Sequence, residues 1–236
     1  QYVLATVKLY HTGTQIVSFS EYALVYRNGI DTHLAQAVYG LPEVARDELK
    51  AGTPVVACPG CYPTASALAA LPIMEAGFKG EGPVTIAALS GVSGAGRKAT
   101  PKTHFCNADE SVGLYGLPHR HTPEIAQTLS RAAGADVEVI FTPHLVPMVR
   151  GLLSTVYIPL DAPHTIEELH ALYTARYASE PFVSVCPIGT MPQTSWVEGS
   201  NRAQVGLHLA SDGKLLVASC AIDNLVKGAA GQAIQA

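Results

Sequence analysis

The 236-residue sequence contains no G-x-G-x-x-G turn, the motif by which a strand–turn–helix unit receives a dinucleotide pyrophosphate. Charged side chains are few, 14% of the total, and the net charge is −4, which leaves no electrostatic footprint for nucleic acid. No apolar run approaches the roughly 20 residues of a membrane span, and no signal-peptide pattern opens the chain. The five cysteines, at 58, 61, 106, 186 and 220, are odd in number and scattered. That argues against a disulfide framework and for a reducing, cytoplasmic setting. Internal repeats and low-complexity tracts are also lacking. What remains is apolar: 48% of residues are hydrophobic, enough for a well-filled core in one large domain or two small ones.

The stretch Ala57-Cys58-Pro59-Gly60-Cys61-Tyr62-Pro63-Thr64 organises the chain. Pro54-Val55-Val56 leads into Pro-Gly, and an Ala/Leu-rich segment follows, so Cys61 falls where a strand gives way to a helix. Pro63 suits the first turn, where the N–H it lacks has no intrahelical partner. The helix is expected over 64–77, with Pro72 as a kink and Gly77 as its stop. Free N–H groups and the positive end of the helix dipole near the sulfur favour the thiolate. Position alone fits an activated nucleophile and a buried structural cysteine equally well. Cys58-x-x-Cys61 also has the spacing of a redox pair or of half a zinc site. No second Cys/His pair completes four ligands, so no metal site is assigned.

Residues 2–10 and 15–26 are β-rich and roughly alternating, with His11-Thr12-Gly13-Thr14 between them, which reads as a hairpin. Arg27-Asn28-Gly29 is a second turn signal. Tyr39-Gly40-Leu41-Pro42-Glu43 reads as a loop before a short polar helix over 44–50. Strands are expected over 84–89, 137–142, 152–160, 183–186, 204–209 and 215–222, the last two joined at Asp212-Gly213. A helix is expected to run to about Ala133, with Thr122 as N-cap and Pro123 as its first residue. Another covers 165–179, where Ile166, Leu169, Leu172 and Tyr173 form a core-packing stripe. A last one covers 227–236, capped by Asp223-Asn224-Leu225. Strands and helices mingle without strict βαβ repetition. The pattern predicts an α+β fold with a mixed, largely antiparallel sheet and helices on one face.

Further stretches carry chemistry. Ser90-Gly91-Val92-Ser93-Gly94-Ala95-Gly96-Arg97-Lys98 combines glycines that permit close backbone approach with two cations that suit an anionic group. His119-Arg120-His121 lies just before a helix start, on a loop able to face a cleft. Arg97, Arg120 and Arg150 are the arginines of these stretches, and bidentate pairing suits phosphate and carboxylate alike.

Together CPGCYPT (58–64), SGVSGAGRK (90–98), HRHTPEI (119–125), TPHLVPMVRG (142–151) and DNLVKGAAGQA (223–233) resemble, in this order, the N-acetyl-γ-glutamyl-phosphate reductase family. Its relatives are the aspartate-semialdehyde and glyceraldehyde-phosphate dehydrogenases. The resemblance runs from about Leu34 to the C-terminus. It implies a catalytic and dimerisation domain over 34–236 with the glyceraldehyde-phosphate dehydrogenase-like C-terminal fold. Residues 1–33 form an atypical β-rich lead-in, and the family's tail ends early, after Ala236.

The activity implied by the resemblance is NADPH-dependent reduction of N-acetyl-glutamyl 5-phosphate to N-acetyl-glutamate 5-semialdehyde in arginine biosynthesis. Cys61 would form a thioester with release of phosphate, and His121 would be the acid/base. His119 and Glu124 are candidates for orienting and tuning His121. Arg97, Arg120 and Arg150 are candidates for the substrate's anions, without an assignment of which takes which, and His144 is a weaker polar contact. Ser93, Gly94, Gly96 and Asn224 would meet the nicotinamide half of NADP. The implied assembly is a cytoplasmic homodimer or homotetramer acting on a small-molecule acyl phosphate, with neither nucleic acid nor membrane as partner.

Other readings stay open. The missing glycine-rich turn fits a domain that keeps the thiol yet does not capture NADP. The Cys58/Cys61 pair fits a thiol-redox or zinc-binding module. An aminoadipyl phosphate, one carbon longer, is not distinguished from the acetylglutamyl substrate.

Overall fold

A computed structural model describes residues 15–18, 37–49, 53, 55–96 and 100–236. Strands β1 (Gln15–Ser18), β2 (Val38–Tyr39) and β3 (Val55–Cys58) form a small sheet in the order β1-β3-β2, both pairs parallel. Helix α1 (Pro42–Ala45) follows β2, and helix α2 (Cys61–Ala76) leaves β3 through Pro59-Gly60. The larger sheet holds β4 (Val84–Gly91), β5 (Gly113–Leu114), β6 (Val139–Val146), β7 (Leu152–Pro159), β8 (Val183–Val185), β9 (Ala203–Leu209) and β10 (Leu215–Ile222). Their spatial order is β5-β6-β4-β7-β10-β9-β8. The β4/β6 and β8/β9 pairs are parallel and the other pairs antiparallel. Helices α3 (Phe105–Ala108), α4 (Thr122–Ala133), α5 (Ile166–Tyr177) and α6 (Gly231–Gln235) complete the set, with a π-helix over Val226–Ala230.

Helix α2 sits at the centre because it can be buried on all sides. Thirteen of its sixteen residues are buried, and its Ala, Ser and Thr side chains let neighbours approach closely. Leu68, Leu71, Ile73 and Met74 are essentially fully buried, each side chain contributing about 1.5–3 kcal/mol on transfer from water. The helix runs on through Pro72. A proline there deprives the Leu68 carbonyl of its i+4 donor, and Tyr177 supplies another, its hydroxyl donating to Leu68 O at 2.6 Å. Tyr173 does the same for Ala69 O at 2.6 Å. Gly77 ends the helix in the left-handed region (φ 72°), where its N–H and that of Phe78 close on Met74 O and Ile73 O.

Period-two alternation divides the larger sheet. Val84, Ile86 and Ala88 of β4, Leu152, Val156 and Ile158 of β7, and Leu216, Ala218 and Cys220 of β10 join the core with residues of α2, α4 and α5. The intervening residues face the other way, and there Ile140 and Tyr157 are exposed. The mixed sheet with helices on one face is as the residue pattern predicts, and Leu169 and Tyr173 of the α5 stripe are in the core.

Several boundaries differ. Helix α2 begins three residues earlier than expected, with Gly60 as N-cap, which makes Cys61 its first residue. The strand expected over 137–142 is β6, which continues through Pro143 and His144 because β4 pairs with it to Val146 and Tyr115 N–H bonds Pro143 O. Tyr39 is not in a loop but in β2, paired with Ala57. The polar helix of 44–50 is instead the four-residue α1, started by Pro42 at its first turn. The last helix opens as a π-helix. Asp212 and Gly213, both at positive φ, form the β9–β10 turn. Of the expected hairpin only 15–18 is described, and it pairs in parallel with β3. The turns at 11–14 and 27–29 and the 33/34 boundary lie outside the described residues. No helix among the described residues is long and apolar enough to cross a membrane.

Candidate active site

Two helix starts meet at Cys61. Gly60, the N-cap of α2, has an unstrained φ of −72°, so its lack of a side chain serves packing. A β-carbon there would stand 2.5 Å from Cε1 and Nε2 of His121. Gly60 O accepts from Thr64 N and Thr64 Oγ1, while Gly60 N–H donates to Glu124 Oε1 at 3.1 Å. The same carboxyl oxygen accepts from the Tyr39 hydroxyl at 3.2 Å. A carboxyl group from the first turn of α4 thus pins the N-cap of α2.

His121 is itself the N-cap of α4, one residue earlier than the sequence suggests. Its backbone N–H donates to His119 Nδ1 at 3.1 Å, which requires a lone pair on Nδ1 and places the proton of neutral His119 on Nε2. The two imidazoles stand edge to face at 4.9 Å. Tyr62 meets both edge-on, and Phe141 packs on His119. Burial in this aromatic surrounding, reinforced by the nearby Arg120 charge, pushes His119 down to about 4. Burial, then His119 and Arg120, pushes His121 down to about 3. Both rings are neutral at pH 7, and the buried Nδ1 of His121 has no hydrogen-bond partner among the described residues. Neutral His121 thus offers a lone pair, although burial makes the ring a weaker base than free imidazole.

The thiol departs from expectation. Cys61 is pushed up to about 11, chiefly by burial; the N–H groups of Tyr62 and Cys61 and the charge of Arg120 oppose this, and the Glu124 charge adds to it. The helix start is present as expected, but desolvation outweighs it. Ionisation therefore requires transfer of the proton to an adjacent base. Glu124 is pushed up to about 8 by burial, against the pull of Gly60 N–H, the Tyr39 hydroxyl and Arg120. It does not orient His121 directly: Oε1 is bonded to Gly60 and Tyr39, and Oε2 has no partner among the described residues. Cys58, buried in β3, is likewise pushed up, to about 12, by burial. No group of three or more metal-ligating side chains is placed to hold an ion among the described residues.

A second cluster gathers beyond the ends of β4 and β10. Asn224 Nδ2 donates to Ser93 Oγ at 2.9 Å, and Asn224 Oδ1 accepts from Gly151 N–H at 2.7 Å. Both ends of the Asn224 amide thus tie loops together. A β-carbon on Gly94 would crowd Ser90 Oγ and Asn224 Nδ2, whereas Gly96, at φ 86°, faces open space. Asp223, fully buried, accepts from the N–H groups of Gly199, Leu225 and Val226. Arg150 Nη1 lies 3.5 Å from its Oδ2.

His144 lies in β6, where its carbonyl accepts from Tyr62 OH at 3.3 Å; its Nδ1 is buried without a partner among the described residues. Arg97 lies outside the described residues. A cavity of about 380 Å³ lined by His170, Thr174, Tyr177 and Val183 shares no residue with the site. Tyr39 and Gly228 were not legible as site residues. Tyr39 reads as part of a loop, and Gly228 shows no local turn requirement, though a β-carbon there would stand 2.6 Å from Cys61 Cβ.

A family model described as semialdehyde dehydrogenase, dimerisation domain, matches residues 61–224. The chain belongs to the semialdehyde dehydrogenase family. The span matched by this semialdehyde dehydrogenase model opens at Cys61 and closes at Asn224, so it holds Cys61, His119, His121 and Glu124 of the first cluster and Ser93, Arg150 and Asp223 of the second. The chain is 53% identical over 205 residues to the N-acetyl-gamma-glutamyl-phosphate reductase of Halorhodospira halophila, covering 86% of this chain and 58% of that protein. It is 50% identical over 205 residues to the one of Moorella thermoacetica, covering 85% and 58%. The chain thus spans about three fifths of the length of these curated relatives. Aspartate semialdehyde dehydrogenase II from Vibrio cholerae shares the semialdehyde dehydrogenase fold with a TM-score of 0.67 at 17% identity, over 92% of this chain and 74% of that one.

Proposed function

We propose that this chain carries the acyl-transfer site of an NADPH-dependent N-acetyl-γ-glutamyl-phosphate reductase, residues 34–236 forming its catalytic and dimerisation domain. The observation that carries the reading is the neutral imidazole of His121 lying on Gly60, next to the first residue of α2. His121 takes the proton of Cys61, and the thiolate attacks the acyl carbon. A C–S bond forms, the bond to the phosphate oxygen breaks, and phosphate leaves a thioester on Cys61. A nicotinamide cofactor, when bound, supplies the hydride that reduces the thioester. The hemithioacetal oxyanion then expels Cys61 to give the aldehyde, and the proton held on His121 returns to the sulfur.

Two positive helix ends and the Arg120 charge favour the anionic substrate, and Arg150 is the second described arginine near the site. Gly94 and Gly96 are exposed at the end of β4, and Ser93 is fixed by Asn224. An open backbone of this kind fits a flat nicotinamide ring, and these four residues would hold it. The larger sheet's face with Ile140 and Tyr157 is the surface we assign to a homo-oligomer, supported by the dimerisation-domain match.

The test is phosphate release from N-acetyl-glutamyl 5-phosphate without cofactor, followed by phosphate-dependent NADP reduction with the semialdehyde. One phosphate per chain is expected, none from Cys61→Ser, and His121→Asn should be slower by about 10²–10⁴. Release unchanged in Cys61→Ser overturns the reading.

A further inference from the structure

Lys227 is fully buried, a place where lysine is almost never found unpaired. Its Nζ donates to Glu43 Oε1 at 2.6 Å and to Gln235 Oε1 at 2.6 Å. Gln235 Nε2 in turn donates to Glu43 Oε1 at 3.0 Å, and Asn201 Nδ2 donates to Gln235 Oε1 at 3.0 Å. The titratable groups acting on the ammonium are Glu43 beside β2, Cys220 of β10 and Glu180 beyond α5. A buried ion pair of this kind stabilises a fold little more than apolar side chains of the same volume. Its directional bonds do fix the position of whatever carries them.

What carries Lys227 is the π-helix Val226–Ala230, a geometry that recurs at functional sites. The next residue, Gly228, lies so close to Cys61 that a β-carbon would stand 2.6 Å from Cys61 Cβ and 3.1 Å from its Cα. Asp223 fastens the start of this turn, through Leu225 and Val226 N–H. Lys227 fastens its middle to α1, on the far side of the chain.

We propose that Lys227, held by Glu43 and Gln235, is a positioning residue that keeps Gly228 against Cys61 and so sets the reactivity of the thiol. The inference rests on the reading of Cys61 as the nucleophile. Cys61 is only partly buried, and loosening the turn opens to water the side of it that Gly228 covers. The other groups acting on the thiol, Glu124 and Arg120, and His121 above Gly60 stay in place.

The experiment is iodoacetamide alkylation of Cys61 in the chain as a function of pH, read by peptide mass spectrometry. Lys227→Met should lower the apparent pKa by about one and so raise alkylation at pH 8 about tenfold. Glu43→Gln should move the profile the same way, and the double variant no further, because the pair acts as one unit. A profile that overlays the wild-type curve in folded Lys227→Met overturns the proposal. Should that variant lack the native circular dichroism, Gln235→Leu, which removes one acceptor and leaves the ion pair, decides: a shift in the same direction supports the proposal and an unchanged profile refutes it. Turnover retained by Cys61→Ser would instead refute the nucleophile reading, and the alkylation comparison would still decide the role of Lys227.

Discussion

The imidazole of His121 rests on Gly60: a β-carbon on that glycine would stand 2.5 Å from two ring atoms. Each residue is the N-cap of a helix, so the Cys61 thiol and the His121 ring are joined through two helix starts. The φ of Gly60 is one that alanine adopts freely. Gly60→Ala should therefore fold normally while displacing the ring, with turnover reduced about 10²-fold. Circular dichroism alongside steady-state rates checks this, and unchanged turnover would show that the ring contact does not position the base.

Stability should peak near pH 6.5. His119 and His121 are pushed down to about 4 and about 3 from an ordinary 6.5. The unfolded chain binds protons there that the folded chain does not, so stability falls as pH drops below 6.5. Glu124, pushed up to about 8 from 4.5, works the other way: its contribution is present below pH 4.5 and lost as pH rises through 8. Two histidines outweigh one glutamate below 6.5. Above it Glu124 acts together with His164, which its hydrogen bond to Asp161 holds above its ordinary value. Urea midpoints from pH 5 to 8 should trace this maximum, and Glu124→Gln should flatten its alkaline side. A wild-type midpoint that does not fall between pH 6.5 and 8 would contradict the assignment.

Tyr177 and Pro72 should be energetically coupled. The hydroxyl of Tyr177 bonds the carbonyl of Leu68 at 2.6 Å, the group that Pro72 leaves without an intrahelical donor. Tyr177→Phe should cost about 1–3 kcal/mol, the penalty of a buried unpaired carbonyl. In a Pro72→Ala background the new N–H takes over, and the cost should shrink. Equal costs in both backgrounds, measured by denaturant unfolding, would break the link.

Asp223 and Arg150 should separate stability from substrate binding. Asp223 holds three backbone N–H groups and is fully buried, whereas the Arg150 side chain is 41% exposed. Asp223→Ala should destabilise the fold by about 2–4 kcal/mol. Arg150→Met, which removes the cation 3.5 Å from Asp223, should cost less stability than Asp223→Ala and raise KM for the acyl phosphate about tenfold, the worth of one anion contact. An Arg150 variant with unaltered KM would remove this residue from substrate recognition.

Where residue pattern and local chemistry act together, the sequence was legible. The apolar runs that became β4, β7 and β10 read as strands, while which face is buried came from the packing. The Pro-Gly before Cys61 marks a strand-to-helix turn, and the histidines before Thr122 mark a loop at a helix start. Boundaries such as Pro143 in β6 were not legible, because pairing with β4 overrides the local cost of a proline. The parallel sheet β1-β3-β2 leaves no local signature in strands of two and four residues.

By itself the sequence determined the fold class, the family and the placing of Cys61 and His121 at helix starts, since these follow from periodicity, capping and motif order along one segment at a time. Only the tertiary structure decided that burial holds the Cys61 thiol protonated against its helix dipole, that Glu124 serves Gly60 rather than His121, and that the His144 carbonyl receives the Tyr62 hydroxyl. Desolvation and long-range hydrogen bonds depend on what the rest of the chain brings within a few ångströms, which residue spacing does not encode.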